Sequence, residues 1–186
     1  MIINENKKKY LILSLIITIS VAIISCDFDN AENESYIYNN NAKTERVKTN
    51  IEEAKVLSEI SILNETIILL SQLSLEKSNV YTVKAISNRL KKESIEIKKH
   101  LNDLAKKKLI LLPNRLDKEG INELSKIDDT GFPKAYLIKV KELLESEIIQ
   151  LEYLSAMTND IDFKVLAVKI SVKLKYNLNQ VNKTIK

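Results

Sequence analysis

Between Val83 and Leu104 the apolar residues Val83, Ile86, Leu90, Ile97, Leu101 and Leu104 recur at intervals of three and four, with one turn skipped. That spacing lines one face of an α-helix, whereas a half-buried strand would alternate every second residue. The pattern returns three more times. Ile51, Ala54, Leu57, Ile60, Ile67, Leu70 and Leu73 form a first stripe. Tyr136, Val140, Leu143, Leu144, Ile148, Leu151 and Leu154 form a third, and Phe163, Leu166, Ile170, Leu174, Leu178, Val181 and Ile185 a fourth. Helices this apolar on one side must bury that side against one another, which is the requirement a bundle meets. With two glycines, two prolines and no tryptophan in the chain, little interrupts such helices.

The breaks fall between the stripes. Thr49 or Asn50 can cap the first helix, with Glu52 and Glu53 in its first turn, and it ends near Lys77-Ser78-Asn79. The second runs to Lys106-Lys107-Lys108, cations that suit a helix C-terminus. Leu109 to Pro113 reads as a packed connection. A short helix over Asp117–Asp128 directs Leu116, Ile121 and Leu124 inward before Asp128-Asp129-Thr130-Gly131 stops it. Phe132–Met157 is the third long helix, and Thr158-Asn159-Asp160 turns the chain into the fourth. The expected class is all-α: a four-helix up-down bundle with a short extra helix between long helices two and three.

The N-terminus is of another kind. Lys7, Lys8 and Lys9 precede Tyr10–Ser25, a stretch without charge that is short for a membrane span of about 20 residues. It ends in Ile23-Ile24-Ser25-Cys26, which resembles the bacterial lipobox: a small residue before a cysteine whose sulfur takes the lipid. Residues 1–25 therefore read as a lipoprotein signal peptide cut between Ser25 and Cys26, with Cys26 lipidated. Cys26 is the only cysteine, so no internal disulfide competes for it. The simpler alternative is an uncleaved anchor. Either places the domain outside the cytoplasm of a bacterium, in the periplasm or on the cell surface. Residues 26–50, polar and Asn-rich, read as the lipidated cysteine and a disordered tether, and residues 51–186 as the bundle. The acids Asp27, Asp29, Glu32 and Glu34 loosely resemble a surface-export signal, although a solvated linker accounts for them. The signal carries three lysines and one glutamate out of a net charge of +4, so the remainder keeps +2.

Order and separation of several small motifs give the bundle a family resemblance. Val83-Lys84-Ala85, Leu101, Leu104-Ala105, Leu112-Pro113, Gly131-Phe132, Ala135-Tyr136 and Leu166-Ala167 resemble the DUF4142 family from about Ser58 to the C-terminus. The resemblance implies a ferritin-like bundle of the kind common in bacterial envelope proteins. Many members carry histidines at positions that fall here on Ser94, Leu144 and Asn177, so any chemistry those histidines support is not implied for this chain.

Catalytic chemistry is hard to assemble. A di-metal bundle site needs inward glutamates and Glu-x-x-His pairs, and the one histidine, His100, belongs to no such pair. Glu96 and His100 share a helix face and are weak metal candidates; they lie off the apolar stripe, where a solvated pair is expected. No serine has a base within a readable triad, two glycines build no phosphate loop, and Glu145, Glu147 and Glu152 read as a charged outer face. We expect no enzyme and no cofactor.

Charge suggests surfaces instead. Residues 79–108 hold nine Lys/Arg against three acids, while 51–78 hold two lysines against five acids. Arg89, Lys91, Lys92, Lys98 and Lys99 form a candidate strip for anionic lipid or glycan, unless they simply offset the neighbouring acidic helix. No aromatic interleaves them, and nucleic acid is not an expected partner. Expected partners are the membrane through Cys26 and an envelope protein, lipid or glycan. The surplus apolar residues Ile62, Ile68, Ile95 and Ile149 broaden the core or allow a homo-oligomer.

Overall fold

The computed structural model describes residues 28–113 and 118–185. The signal segment, Ser25 and Cys26 lie outside them. Five helices follow in order: α1 (Phe28–Lys77), α2 (Tyr81–Lys107), α3 (Lys118–Ser125), α4 (Phe132–Met157) and α5 (Ile161–Ile185). The last four lie within a residue or three of their expected bounds. The first does not: it begins at Phe28, so the stretch expected as a tether is helical from there on. No glycine or proline occurs between Phe28 and Lys77 to stop it. The chain divides after Lys48 into two compact units, and the bundle belongs to the second, Thr49–Lys186.

Cross-helix contacts fix the directions. Ser87 Oγ donates to Ser74 Oγ at 2.8 Å, and Lys98 bridges Glu65 at 2.7 Å, so α1 and α2 form an antiparallel hairpin. Along α2 and α5, Glu96 meets Lys173 at 2.9 Å and Lys107 meets Asp162 at 2.8 Å, again antiparallel. Tyr136, near the start of α4, has its hydroxyl 3.3 Å from Ser71 Oγ, while Thr158 after its end donates to Glu53 near the start of the bundle. Helix α4 is therefore antiparallel to α1 and parallel to α2. The two hairpins are each up-down, and residues 108–131 carry the chain back along the bundle between them. That single long crossover is the ferritin-like arrangement.

The core follows a stricter rhythm than the apolar residues alone reveal. Leu57, Ile60, Asn64, Ile67, Ser71, Ser74 and Ser78 are all buried in α1 and just after it, each three or four residues from the last. In α2 the series is Val83, Ser87, Leu90, Ser94, Ile97, Leu101 and Leu104; the skipped turn is filled by buried Ser94. Val140, Leu144, Glu147, Leu151 and Leu154 continue it in α4, and Phe163, Ala167, Ile170, Leu174, Asn177 and Val181 in α5. A seven-residue repeat of this kind is the seam of left-handed, knobs-into-holes packing. Helix α1 is apolar enough over Lys43–Lys77 to cross a membrane by length and composition, but that apolarity is the share it contributes to the core. Of the surplus residues, Ile62 and Ile68 are half-buried, whereas Ile95 and Ile149 are exposed.

Candidate functional site

Each long helix of the bundle puts a polar residue into the buried seam at mid-bundle. They are Asn64 on α1, Ser94 on α2, Glu147 on α4 and Asn177 on α5, none more than 1 % exposed. Two of them bind a neighbouring helix. Asn64 Nδ2 donates to the Ser94 carbonyl at 2.9 Å, and Asn177 Nδ2 to Glu93 Oε2 at 2.6 Å, which ties α1, α2 and α5. Lys175 meets Glu152 at 2.7 Å, which sets α5 against α4. The Ser71–Tyr136 and Glu53–Thr158 contacts place Asn64 opposite Glu147 in turn.

Glu147 corrects an expectation, since sequence alone assigned it to a charged outer face. Its surface is wholly covered, neither carboxyl oxygen has a protein hydrogen-bond partner, and burial pushes its pKa up to about 8. The signal that could have found it is the 4-3-4-3 run from Val140 to Leu154, in which position 147 is a seam position whatever residue fills it. Ser94, Leu144 and Asn177, the positions where the resemblance puts histidines, are all buried as well. Nearer the α4 start, Tyr136, Ser71, Ser87 and Ser74 make a second buried polar cluster. Burial raises the Tyr136 pKa, while hydroxyls from Ser71 and Ser87 temper that rise.

The metal candidates separate. Glu96 pairs with Lys173, whose hydrogen bond and charge hold its carboxyl below the ordinary range, and His100 Nε2 sits 3.2 Å from Lys169 Nζ. Each is occupied by a lysine of α5 instead of converging on a shared point. No group of three or more His, Cys, Asp or Glu side chains is placed to hold a metal among the described residues.

The basic strip is partly spent within the fold. Lys91 donates to Gln72, Lys98 bridges Glu65, and the Arg89 guanidinium stacks 5.3 Å from the Tyr176 ring centre. Lys92 and Lys99 are exposed. Beside them α5 turns outward a ridge that sequence reading missed: Ile161, Val165, Val168, Val172 and Tyr176, all more than half exposed. These follow one another by four and three residues, so α5 carries an apolar stripe on both its inner and its outer side. Lys164 and Lys175 flank the outer ridge on one side, Lys169 and Lys173 on the other.

A four-helix bundle with one long crossover defines the class: a ferritin-like helical domain. More narrowly, the chain belongs to the DUF4142 family, described as a domain of unknown function, which matches residues 39–184. A crystal structure of a DUF305 fragment from Deinococcus radiodurans superposes with a TM-score of 0.57 at 14% identity, covering 72% of this chain and 94% of that one. That likeness speaks for the fold. Comparison with curated proteins finds no significant match.

Proposed function

We propose that this protein is a lipid-anchored domain of the bacterial envelope whose bundle binds a partner and performs no catalysis. The observation that carries the reading is the outward ridge of α5. Five large apolar residues aligned along about four turns cost solvation in a free monomer and are the usual mark of a surface that docks something. Lysines on both flanks favour a partner with an acidic rim. Anchoring through Cys26 would hold that ridge near the membrane and raise the encounter rate with envelope proteins.

A second reading is favoured by Lys92 and Lys99. Both stay exposed on α2 beside the same ridge, a combination suited to anionic lipid or glycan. The two are separated by photo-crosslinking in intact cells with the probe at Val168, and the captured species read by mass spectrometry. One dominant envelope protein, lost when Val172→Glu is added, is the expected result. Capture of lipid or glycan alone replaces the first reading with the second. Capture matching that of a probe on the polar outer face at Glu142 removes both.

A further inference from the structure

We propose that the end of the bundle where α1 enters it is a membrane-contact surface, at which Leu109 and Leu111 insert into a phospholipid bilayer. The entry of α1, the end of α2 and the α4–α5 turn share this end. Glu53 of α1 accepts a hydrogen bond from the Thr158 hydroxyl, and Lys107 and Lys108 at the end of α2 bind Asp162 and Asp160 beside the same turn. Four large apolar residues stand in solvent here: Leu109 is 95% exposed, Leu111 93%, Ile161 68% and Ile51 64%.

The two leucines belong to one short run whose residues divide their roles. Ile110 and Leu112 pack against the core, while Leu109 and Leu111 face solvent. Leu109 also has a φ of 58°, the only positive φ among the described residues. A leucine is disfavoured in that left-handed conformation, and this side chain recovers nothing from packing. Strain that the fold itself does not use points to a role outside the fold. Insertion into a bilayer gives both side chains the apolar surroundings that the bundle denies them.

What covers these side chains follows from where the chain comes from. Cys26 precedes Thr49 by 23 residues, so a lipidated cysteine and an uncleaved anchor both bring a membrane within reach of this end. The inference rests on that attachment, by whichever route. The opposite end of the bundle is separated from this one by α1 from Thr49 to Lys77, about 40 Å of helix. Anchoring also raises the effective concentration of the bilayer, so a small apolar contact suffices. Most charges at this end are matched within it: Lys107 and Lys108 hold Asp162 and Asp160, and Lys55 holds Glu52 at 3.8 Å. Apolar insertion therefore holds the contact, and attraction to anionic lipid does not, which separates it from the surface carrying Lys92 and Lys99. The α5 ridge from Val165 onward stays free for a protein partner.

The chain contains no tryptophan, so Leu111→Trp and, at the opposite end, Tyr81→Trp each introduce a single reporter at an exposed position. The full-length variants are reconstituted into phosphatidylcholine vesicles, with or without bromine on the acyl chains, and floated on a density gradient. Leu111→Trp emission should move to shorter wavelength and be quenched by the bromine, to the same extent when phosphatidylglycerol is included. Tyr81→Trp should stay unquenched. Leu109→Asn, which tolerates the left-handed φ, should lessen the quenching when added to Leu111→Trp. A floated chain whose Leu111→Trp is unquenched overturns the contact and leaves the anchor standing. A shift to shorter wavelength without quenching also overturns it, because a partner or a second copy then covers the leucines. Quenching confined to vesicles with phosphatidylglycerol transfers the contact to the lysines of α2. Equal quenching of both reporters lays the whole bundle on the bilayer, and quenching indifferent to Leu109→Asn shows the introduced tryptophan inserting by itself; either removes the proposal. A chain that does not float removes the anchor and this contact together.

Discussion

At the residue scale the most consequential side chain is Glu147, a carboxyl in the seam of a helix whose other seam residues are aliphatic. Burial raises its pKa from 4.5 to about 8 in the folded chain. Between those values the folded state holds a proton that the unfolded state has released. Stability must therefore fall as pH rises through that window, by about 1.4 kcal/mol per pH unit. Glu147→Leu should abolish this slope and gain roughly 1–4 kcal/mol near pH 8, as replacements of buried ionisable groups by apolar ones can. Urea unfolding from pH 5 to pH 8 measures both; a wild-type slope persisting in the leucine variant would assign it to another group. The position was legible in the sequence as a heptad place. Its occupant, a glutamate among Lys139, Lys141, Glu142 and Glu145, disguised it, because residue type outweighed spacing in the reading.

At the element scale, helix ends decide how the hairpins close. Helix α2 stops at Leu109, whose φ of 58° is left-handed, with Ile110 N–H reaching back to the Ala105 carbonyl at 2.8 Å. Glycine is the usual occupant of that place, and a leucine whose side chain is 95% exposed gains nothing there to offset the strain. Leu109→Gly should stabilise the fold by about 0.5–1 kcal/mol in chemical denaturation, and a loss of that size would mean the leucine makes contacts that hold the crossover. Beside it, Lys108 binds Asp160 and also Asp162, the latter at 2.8 Å, and its ammonium lies 5.8 Å from the Phe163 ring centre. Hydrogen bonds from Lys108 to Asp160, and from Lys107 and Lys108 to Asp162, hold both carboxyls below their ordinary range. Depressed carboxylate pKa values stabilise above the unfolded value and lose that contribution as pH falls through the folded one. Lys108→Met should accordingly lower the melting temperature by a few degrees at neutral pH. The difference should shrink in acid and in 1 M salt, and a salt-independent deficit would point to packing on Phe163 instead.

At the scale of the whole molecule, buried polar groups bear on the register of the bundle and the α5 ridge on its outward face. Buried polar side chains penalise any arrangement that slides one helix by a heptad, since the Asn64–Ser94 and Asn177–Glu93 hydrogen bonds would then be lost; single buried polar groups set register in this way elsewhere. The α5 ridge has no counterpart inside the bundle, which is why its role is assigned to a partner. Membrane attachment is tested on the entire chain: Cys26→Ala should release the protein from the membrane fraction or leave it with an uncleaved N-terminus of higher mass. Unchanged attachment and mass would remove the lipoprotein reading while leaving the α5 ridge to be tested separately.

Sequence periodicity by itself determined four amphipathic helices, the bounds of the last three, and the presence of one short helix in the crossover. Those are local properties: a stripe at three and four residues, a breaker and a cap each act within a few residues of chain. The start of α1 at Phe28 escaped because a polar, Asn-rich stretch without breakers carries no apolar rhythm to announce a helix. Tertiary structure alone decided that α4 runs parallel to α2, that Asn64 binds the Ser94 carbonyl and Asn177 the Glu93 carboxylate, and that Glu96 and His100 are drawn apart onto Lys173 and Lys169. Each of these depends on which helices face one another and in what register. A seven-residue repeat specifies a buried face but not the neighbour that covers it, so packing of all four helices was needed to settle them.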